Sequence, residues 1–248
     1  MRTTTRKIMI IVLAAILSCG PTLTANAQDD DRTWLQVRTV QVKTDRMGDF
    51  IDLQKALVEA SVDAGRPGRS VWREVRGDTA TFHFVTSADN MAELDEPFDP
   101  PMDDDDWSDW VDDIMETTRH ISRQILRSHR EWTLRPTDDS DPDLLLLRTI
   151  DVKSGSMADF HVWIRDRLLP ALKSGNAGGI TFNHVAFGGD TSTWIIGARV
   201  PDWAALQSRR GNLAHMNDFE YGSLMRSMAA MTEGAELRVL RYQPELSW

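Results

Sequence analysis

The sequence contains a single cysteine, Cys19, among 248 residues. A mature chain that begins after this residue has no disulfide bond, no catalytic thiolate and no cysteine-ligated zinc or iron–sulfur centre. The sequence also lacks a His-Glu-x-x-His motif, a nucleophile elbow and a phosphate-binding glycine loop at the start of a helix. We therefore predict no metal site and no nucleotide cofactor.

Basic residues are scarce relative to acidic ones, and the formal net charge is −10. A surface of this charge repels phosphate groups, which argues against binding to nucleic acid or to an anionic membrane surface. The hydrophobic fraction of 41% is nevertheless ordinary for a globular protein with a packed core.

Residues 1–27 have the three parts of an export signal. A basic start precedes an apolar run, Ile8–Leu17, and the small residues Ala25 and Ala27 mark a cleavage site. The apolar run is too short for a permanent membrane span, which needs about 20 residues. We expect a periplasmic or secreted protein, with a lipid anchor on Cys19 as the minor alternative.

The chain contains an internal duplication. Residues 37–50 (VRTVQVKTDRMGDF) and 147–160 (LRTIDVKSGSMADF) are identical at seven of 14 positions when one is shifted by 110 residues onto the other. Unrelated segments would share roughly one position. The duplicated unit is about 105 residues long, which excludes a short solenoid repeat.

Each unit has the pattern of a β-α-β-β-α-β repeat. The predicted boundaries are 28–136 for the first repeat, 137–142 for a linker and 143–248 for the second repeat. We place the second helix of the first unit between Trp107 and Ile121, and its closing strand at about Glu131–Arg135. The closing strand of the second unit is predicted at about Glu236–Gln243.

The opening strands resemble those of the dimeric α+β barrel superfamily, which includes NIPSNAP-like and antibiotic biosynthesis monooxygenase-like proteins. The residues that carry this resemblance are Arg38-Thr39 with Val42-Lys43, and Arg148-Thr149 with Val152-Lys153-Ser154-Gly155. The fold class that the resemblance implies is α+β, with two tandem ferredoxin-like repeats forming an intramolecular barrel.

The hydrophobic effect also favours a closed barrel. A sheet with helices on only one face leaves the apolar side chains of its other face exposed to water, and closure buries them. The alternative is two independent ferredoxin-like domains joined by a linker. Whether the pseudo-dimer associates further is left open.

Two arginines are the first candidate ligand-binding residues. Arg38 and Arg148 share strand parity with apolar residues, so each points toward a predicted core. A buried guanidinium must be paired or must bind an anion. Two interpretations follow: a site for a carboxylate, phosphate or oxygen-rich ligand, or a structural ion pair.

The second unit offers further candidates, His161, Asn183, His184 and Trp194. His161 takes a helical position that Ile51 occupies in the first unit. The resemblance implies that oxygenase-type members combine an Asn, a Trp and a His in a haem or quinone-like pocket. The first unit lacks such a set, since sequence alignment places Arg73, Glu74 and Phe82 at the matching positions. No cofactor is predicted, and haem is kept only as an alternative.

The function predicted from these features is that of an exported small-molecule-binding protein, with a pocket between sheet and helices. An enzyme is the first alternative, either a cofactor-independent or haem-type monooxygenase or an isomerase. A structural or protein-interaction module is the second alternative.

Overall fold

Both halves of the chain fold as strand, helix, two strands, helix and strand. The computed structural model describes residues 32–94, 99–136, 144–208 and 210–248. The predicted export signal, Cys19 and the linker at 137–142 lie outside the described residues. The described part contains no helix that is both long and apolar enough to cross a bilayer.

The first repeat comprises β1 (Arg32–Val42), α1 (Met47–Asp63), β2 (Ser70–Arg76), β3 (Thr81–Ala88), α2 (Asp104–Thr117) and β4 (Thr118–His129). The second repeat begins with β5 (Leu144–Val152) and α3 (Met157–Trp163), which a π-helical turn (Ile164–Leu168) joins to α4 (Leu169–Ser174). It continues with β6 (Ile180–Phe187), β7 (Thr193–Val200), α5 (Asp218–Met231) and β8 (Thr232–Tyr242).

The eight strands form one closed antiparallel barrel in the order β1-β3-β2-β8-β5-β7-β6-β4. Two seams join the repeats, since β2 pairs with β8 and β4 pairs with β6. Closure removes the free edges that a four-stranded sheet would expose and covers the face that the helices leave bare. The two ferredoxin-like repeats therefore form the predicted intramolecular barrel.

The end of each repeat crosses a seam and packs on the other repeat. After β4, a 3₁₀ turn at Arg130–Trp132 leads to Leu134, whose backbone exchanges two hydrogen bonds with Ile180, both 2.9 Å long. After β8, a matching 3₁₀ turn leads to Trp248, whose backbone does the same with Arg69 at 2.9 and 3.1 Å. We call these segments, 130–136 and 243–248, the exchanged tails.

Side chains alternate between the barrel interior and two helix-covered cores. In the first repeat, the core centres on Phe50, Phe82 and Val71, all fully buried against α1 and α2. In the second, Phe160, Phe182 and Trp194 take that role. The exchanged tails complete both cores, because Trp132 packs into the second and Leu246 into the first.

A polar network crosses the β2–β8 seam inside the barrel. The buried carboxylate of Glu74 accepts from His83 Nε2 at 3.1 Å and from Arg238 Nη1 at 3.2 Å. The other ring nitrogen of His83 lies 3.0 Å from the Thr39 hydroxyl. A buried carboxylate is tolerated here because cationic and neutral donors share its oxygen.

The predicted closing strand of the first repeat was wrong. The second helix ends at Thr117 rather than near Ile121, and β4 occupies Thr118–His129 rather than Glu131–Arg135. The hydroxyls of Thr117 and Thr118 both donate to the carbonyl of Ile114, at 2.7 and 2.8 Å. This competes with the helical bonding of the last turn and releases the backbone directly into the strand.

The two repeats do not correspond at one constant shift along their whole length. The shift of 110 residues holds through Phe50 and Phe160, but the π-helical turn then adds one residue to the second repeat. The strand registers show the result: Val71 pairs with Phe84 where Phe182 pairs with Ile196. His184 therefore corresponds to Arg73, and not to Glu74.

The polar network across the seam predicts a stability effect. Replacing Glu74→Ala leaves His83 and Arg238 without their shared acceptor, so we expect the free energy of unfolding to fall by about 2 kcal/mol. Urea denaturation measures this. The matched control is Glu233→Ala on β8, an exposed side chain, for which we expect a change within about 0.5 kcal/mol. Equal effects of the two substitutions would contradict a role for the network.

Candidate functional site

The second repeat encloses a cavity of about 560 Å³ between the sheet and its helices. Its walls are formed by β5, β7 and β8 on one side and by the helices α3 to α5 with residues from 201–208 and 210–213 on the other. The apolar part of the lining includes Leu146, Trp163, Leu168, Ile196, Met225 and Met228. Both the volume and the lining are typical of pockets for small organic ligands.

Arg148 enters this apolar wall from β5. It stands opposite Leu237 and Ile196 on the neighbouring strands, and Ile150 next to it on the same face is almost fully buried. Arg148 makes no hydrogen bond or ion pair with another described residue. The structural ion pair that one interpretation required is thus absent from the described part of the chain, and the guanidinium offers its five N–H donors to the cavity.

The other arginines of the lining are engaged by the protein. Arg210 Nη1 donates to the Met216 carbonyl at 2.6 Å, and its Nη2 donates to the Asp218 carboxylate. Its guanidinium also lies over the Tyr221 ring, 5.1 Å from the centroid. Arg199 likewise has a partner. Arg148 is therefore the lining cation whose donors are available to a ligand.

A second polar cluster forms where β4 and β6 meet. Glu131 Oε1 lies 3.0 Å from His129 Nδ1, and His129 Nε2 lies 3.0 Å from His184 Nδ1. His129 is buried against two indoles, with its ring centroid 4.5 Å from that of Trp132 and 5.0 Å from that of Trp194, and the two indole centroids are themselves 5.9 Å apart. We call Glu131, His129 and His184 the histidine array.

The histidine array can move a proton along its length. A hydrogen bond between two imidazole nitrogens needs one protonated and one unprotonated nitrogen, so at least one of the two rings presents a lone pair to the other. The carboxylate of Glu131 favours a proton on His129 Nδ1 and so orients that ring. Among the described residues, no group of three or more His, Cys, Asp or Glu side chains has a geometry that could hold a metal ion.

The predicted site residues fall into four places. His161, His184 and Trp194 come together, since the His161 ring stands edge-on to the Trp194 ring with centroids 4.9 Å apart. Arg148 lines the cavity from β5, which β7 separates from β6 and the array. Arg38 lies in the first repeat.

Asn183 points into the barrel interior. Its neighbour Phe182 on β6 packs in the helix-covered core, and successive side chains on a strand face opposite sides of the sheet. Its Nδ2 donates to the Ile195 carbonyl at 3.3 Å, and its buried Oδ1 has no partner among the described residues. An Asn–Trp–His set does not assemble from Asn183, His184 and Trp194.

The sequence pattern did not single out His129 or Glu131, because it predicts a closing strand at about Glu131–Arg135 in this region. The spacing His129-x-Glu131-Trp132 was visible, but the partner of His129 is 55 residues away on another repeat. Only the pairing of β4 with β6 brings the two histidines together.

A histidine- or cysteine-ligated haem does not fit the cavity as described. Its lining contains neither residue type, and the donors present are the Tyr221 phenol and the thioethers of Met225 and Met228. The Tyr221 ring is already covered by Arg210.

No family model matches this sequence, and no curated protein sequence matches it. Solved structures do. An anthrone oxidase-like protein superposes with a TM-score of 0.59 at 12% identity, covering 87% of this chain and 92% of that one. A protein named as a monooxygenase, from Lactobacillus acidophilus, gives 0.56 at 10% identity, covering 85% and 93%. A mutant chlorite dismutase from Candidatus Nitrospira defluvii gives 0.50 at 8% identity, covering 86% and 92%.

The chain has the dimeric α+β barrel fold. The superpositions extend over almost the whole of each neighbour, so the tandem repeats of this chain correspond to complete barrels in those proteins. At these identities the likeness establishes the architecture alone. Function has to be argued from the cavity and the histidine array of the barrel itself.

Proposed function

We propose that this barrel binds a small, mainly apolar molecule in the cavity of the second repeat, with an anionic group of the ligand on Arg148. The observation that carries the proposal is an unpaired guanidinium set in an apolar wall beside a volume of about 560 Å³. Desolvation of an unpartnered cation is costly, and a bound carboxylate or sulfonate offsets that cost with charge-assisted hydrogen bonds.

The π-helical turn supports a ligand-binding role for the same cavity. Trp163 precedes the turn and Leu168 ends it, and both side chains line the cavity. In the first repeat, α1 runs as one uninterrupted α-helix from Met47 to Asp63. Single π turns inside α-helices occur frequently at functional sites, because the wider turn displaces side chains from regular spacing.

The cavity binding prediction is tested with 8-anilinonaphthalene-1-sulfonate, an apolar anion whose fluorescence rises on burial. We expect the full chain to bind this probe saturably, with Arg148→Gln weakening the affinity by about tenfold because one charge-assisted contact is lost. Replacing Ala198→Phe, which fills part of the cavity, should also reduce binding.

The matched control for Arg148 is Arg165→Gln. Arg165 lies in the π turn of the same repeat, but it is exposed and paired with Asp166 at 2.6 Å. Its replacement should leave the affinity unchanged. Equal binding by the Arg148 and Arg165 variants would refute the proposal.

Export is part of the proposed function. Its support is the three-part signal at residues 1–27, which favours a periplasmic or secreted binding protein. Mass spectrometry of the protein recovered from its own cells should find a chain that starts at Gln28. A mature protein that retains residues 1–27, or that carries lipid on Cys19, would contradict free export.

An acid–base enzyme is the second candidate, and the histidine array favours it. The array holds a carboxylate-oriented imidazole in contact with a second imidazole, which suits abstraction of a proton from a weakly acidic carbon. The neighbours named as a monooxygenase and as anthrone oxidase-like suggest an activated aromatic substrate.

Oxygen uptake in the presence of anthrone tests the enzymatic candidate. Turnover that His184→Ala lowers by at least about 100-fold, with an unchanged melting temperature, would select the enzyme. His120→Ala on β4 is the matched control, since His120 is exposed. Uptake that is absent, or equal in the two variants, would leave binding as the function.

A further inference from the structure

The first repeat differs from the second at the place that corresponds to the cavity. In the second repeat, Arg148 stands opposite Leu237, and Ile180 begins β6 on the same face. In the first repeat, Arg38 stands opposite Arg123 on β4, and Arg69 directly precedes β2. Two apolar neighbours of one arginine are thus replaced by two further arginines.

These three guanidinium groups converge on one face of the sheet. Arg38 pairs in register with both Phe84 and Arg123, which places it between them. The Arg69 guanidinium carbon lies 4.7 Å from the centroid of the Phe84 ring and 4.1 Å from that of Trp248 in the exchanged tail. Phe84 and Trp248 therefore hold Arg69 beside Arg38.

Every partner of these arginines among the described residues is neutral. Arg69 Nη2 donates to Gln54 Oε1 at 2.8 Å and to the Leu246 carbonyl at 3.5 Å, while its buried Nε has no partner. Arg38 makes no hydrogen bond or ion pair within the described ranges. Arg38 and Arg69 are half-buried and Arg123 is exposed, and holding these like charges together in a partly desolvated place costs free energy that a bound anion would offset.

The electrostatics of the cluster agree with this geometry. Burial, together with the charge of Arg123, lowers the pKa of Arg38. Burial, together with the charge of Arg38, lowers the pKa of Arg69 to about 9. At neutral pH both groups remain protonated, so the chain bears the cost of their desolvation and mutual repulsion.

We propose that Arg38, Arg69 and Arg123 form an oxyanion site in the first repeat, separate from the cavity of the second. The ligand group is a carboxylate or a phosphate, since a planar guanidinium donates two parallel hydrogen bonds to either. The barrel would then carry two different sites, one for an apolar body with a single charge and one for a compact anion.

The experiment follows thermal unfolding of the full chain as sodium chloride is replaced, at constant ionic strength, by sodium phosphate or by sodium acetate. We expect a saturable rise in melting temperature, of about 3–5 °C at an anion concentration ten times the Kd. Whichever salt produces the rise identifies the group as phosphate or carboxylate.

Variants separate the site from unspecific salt effects. Arg38→Gln and Arg69→Gln should each abolish the rise, whereas Arg165→Gln should keep it. Without the anion and at low ionic strength, Arg123→Gln should melt at a higher temperature than the unaltered chain, because like charges no longer repel. A purely structural arginine would give the opposite sign.

Several results would overturn the oxyanion site. The first is the absence of a rise with either salt. The second is a rise that persists in Arg38→Gln or in Arg69→Gln, and the third is a lower melting temperature for Arg123→Gln. The outcome is independent of the cavity proposal, since Arg148→Gln should leave the anion-dependent rise intact. In turn, Arg38→Gln should leave binding of the fluorescent sulfonate intact.

Discussion

Backbone pairing at the two seams is the interaction on which the rest of this molecule depends. Neither repeat can cover the inner face of its own sheet, and β2–β8 and β4–β6 pairing supplies the missing half. The seams also set where chemistry is possible. His129 belongs to the first repeat and His184 to the second, so the histidine array exists only while β4 and β6 are in register.

The exchanged tails make the two repeats interdependent beyond the strands. Leu246, fully buried, fills the core of the first repeat although it follows the last strand of the second. Trp132 does the reverse and shields one face of His129. Independent ferredoxin-like domains on a linker would have wet cores at these points, which is why the closed arrangement prevails over that alternative.

Local sequence patterns predicted much of the fold. The β-α-β-β-α-β order of both repeats was predicted correctly, because alternating β-branched residues and glycine turns mark the strands. The side-chain direction of Arg38 and Arg148 followed from strand parity. The end of α2 was missed because two threonine hydroxyls, rather than a glycine or proline, end that helix.

What the sequence could not provide were features that depend on long-range register. The π turn shifts every later position by one residue, so a matching based on constant spacing assigned His184 to the wrong counterpart. The cavity also depends on residues from 201–208 and 210–213, whose sequence has no helical or strand periodicity. The array depends on a contact between two repeats, and no single segment encodes such a contact.

Reciprocal tails have a consequence for the ancestry of the chain. A single ancestral unit with such a tail would have formed a symmetric homodimer. Every substitution would then have appeared in both subunits and altered the helix-covered region of each in the same way. Fusion of two copies into one gene ended that constraint. A substitution could then occur in one repeat without occurring in the other. The two residues that stand opposite the corresponding arginines Arg38 and Arg148 show this divergence, since one is Arg123 and the other is Leu237.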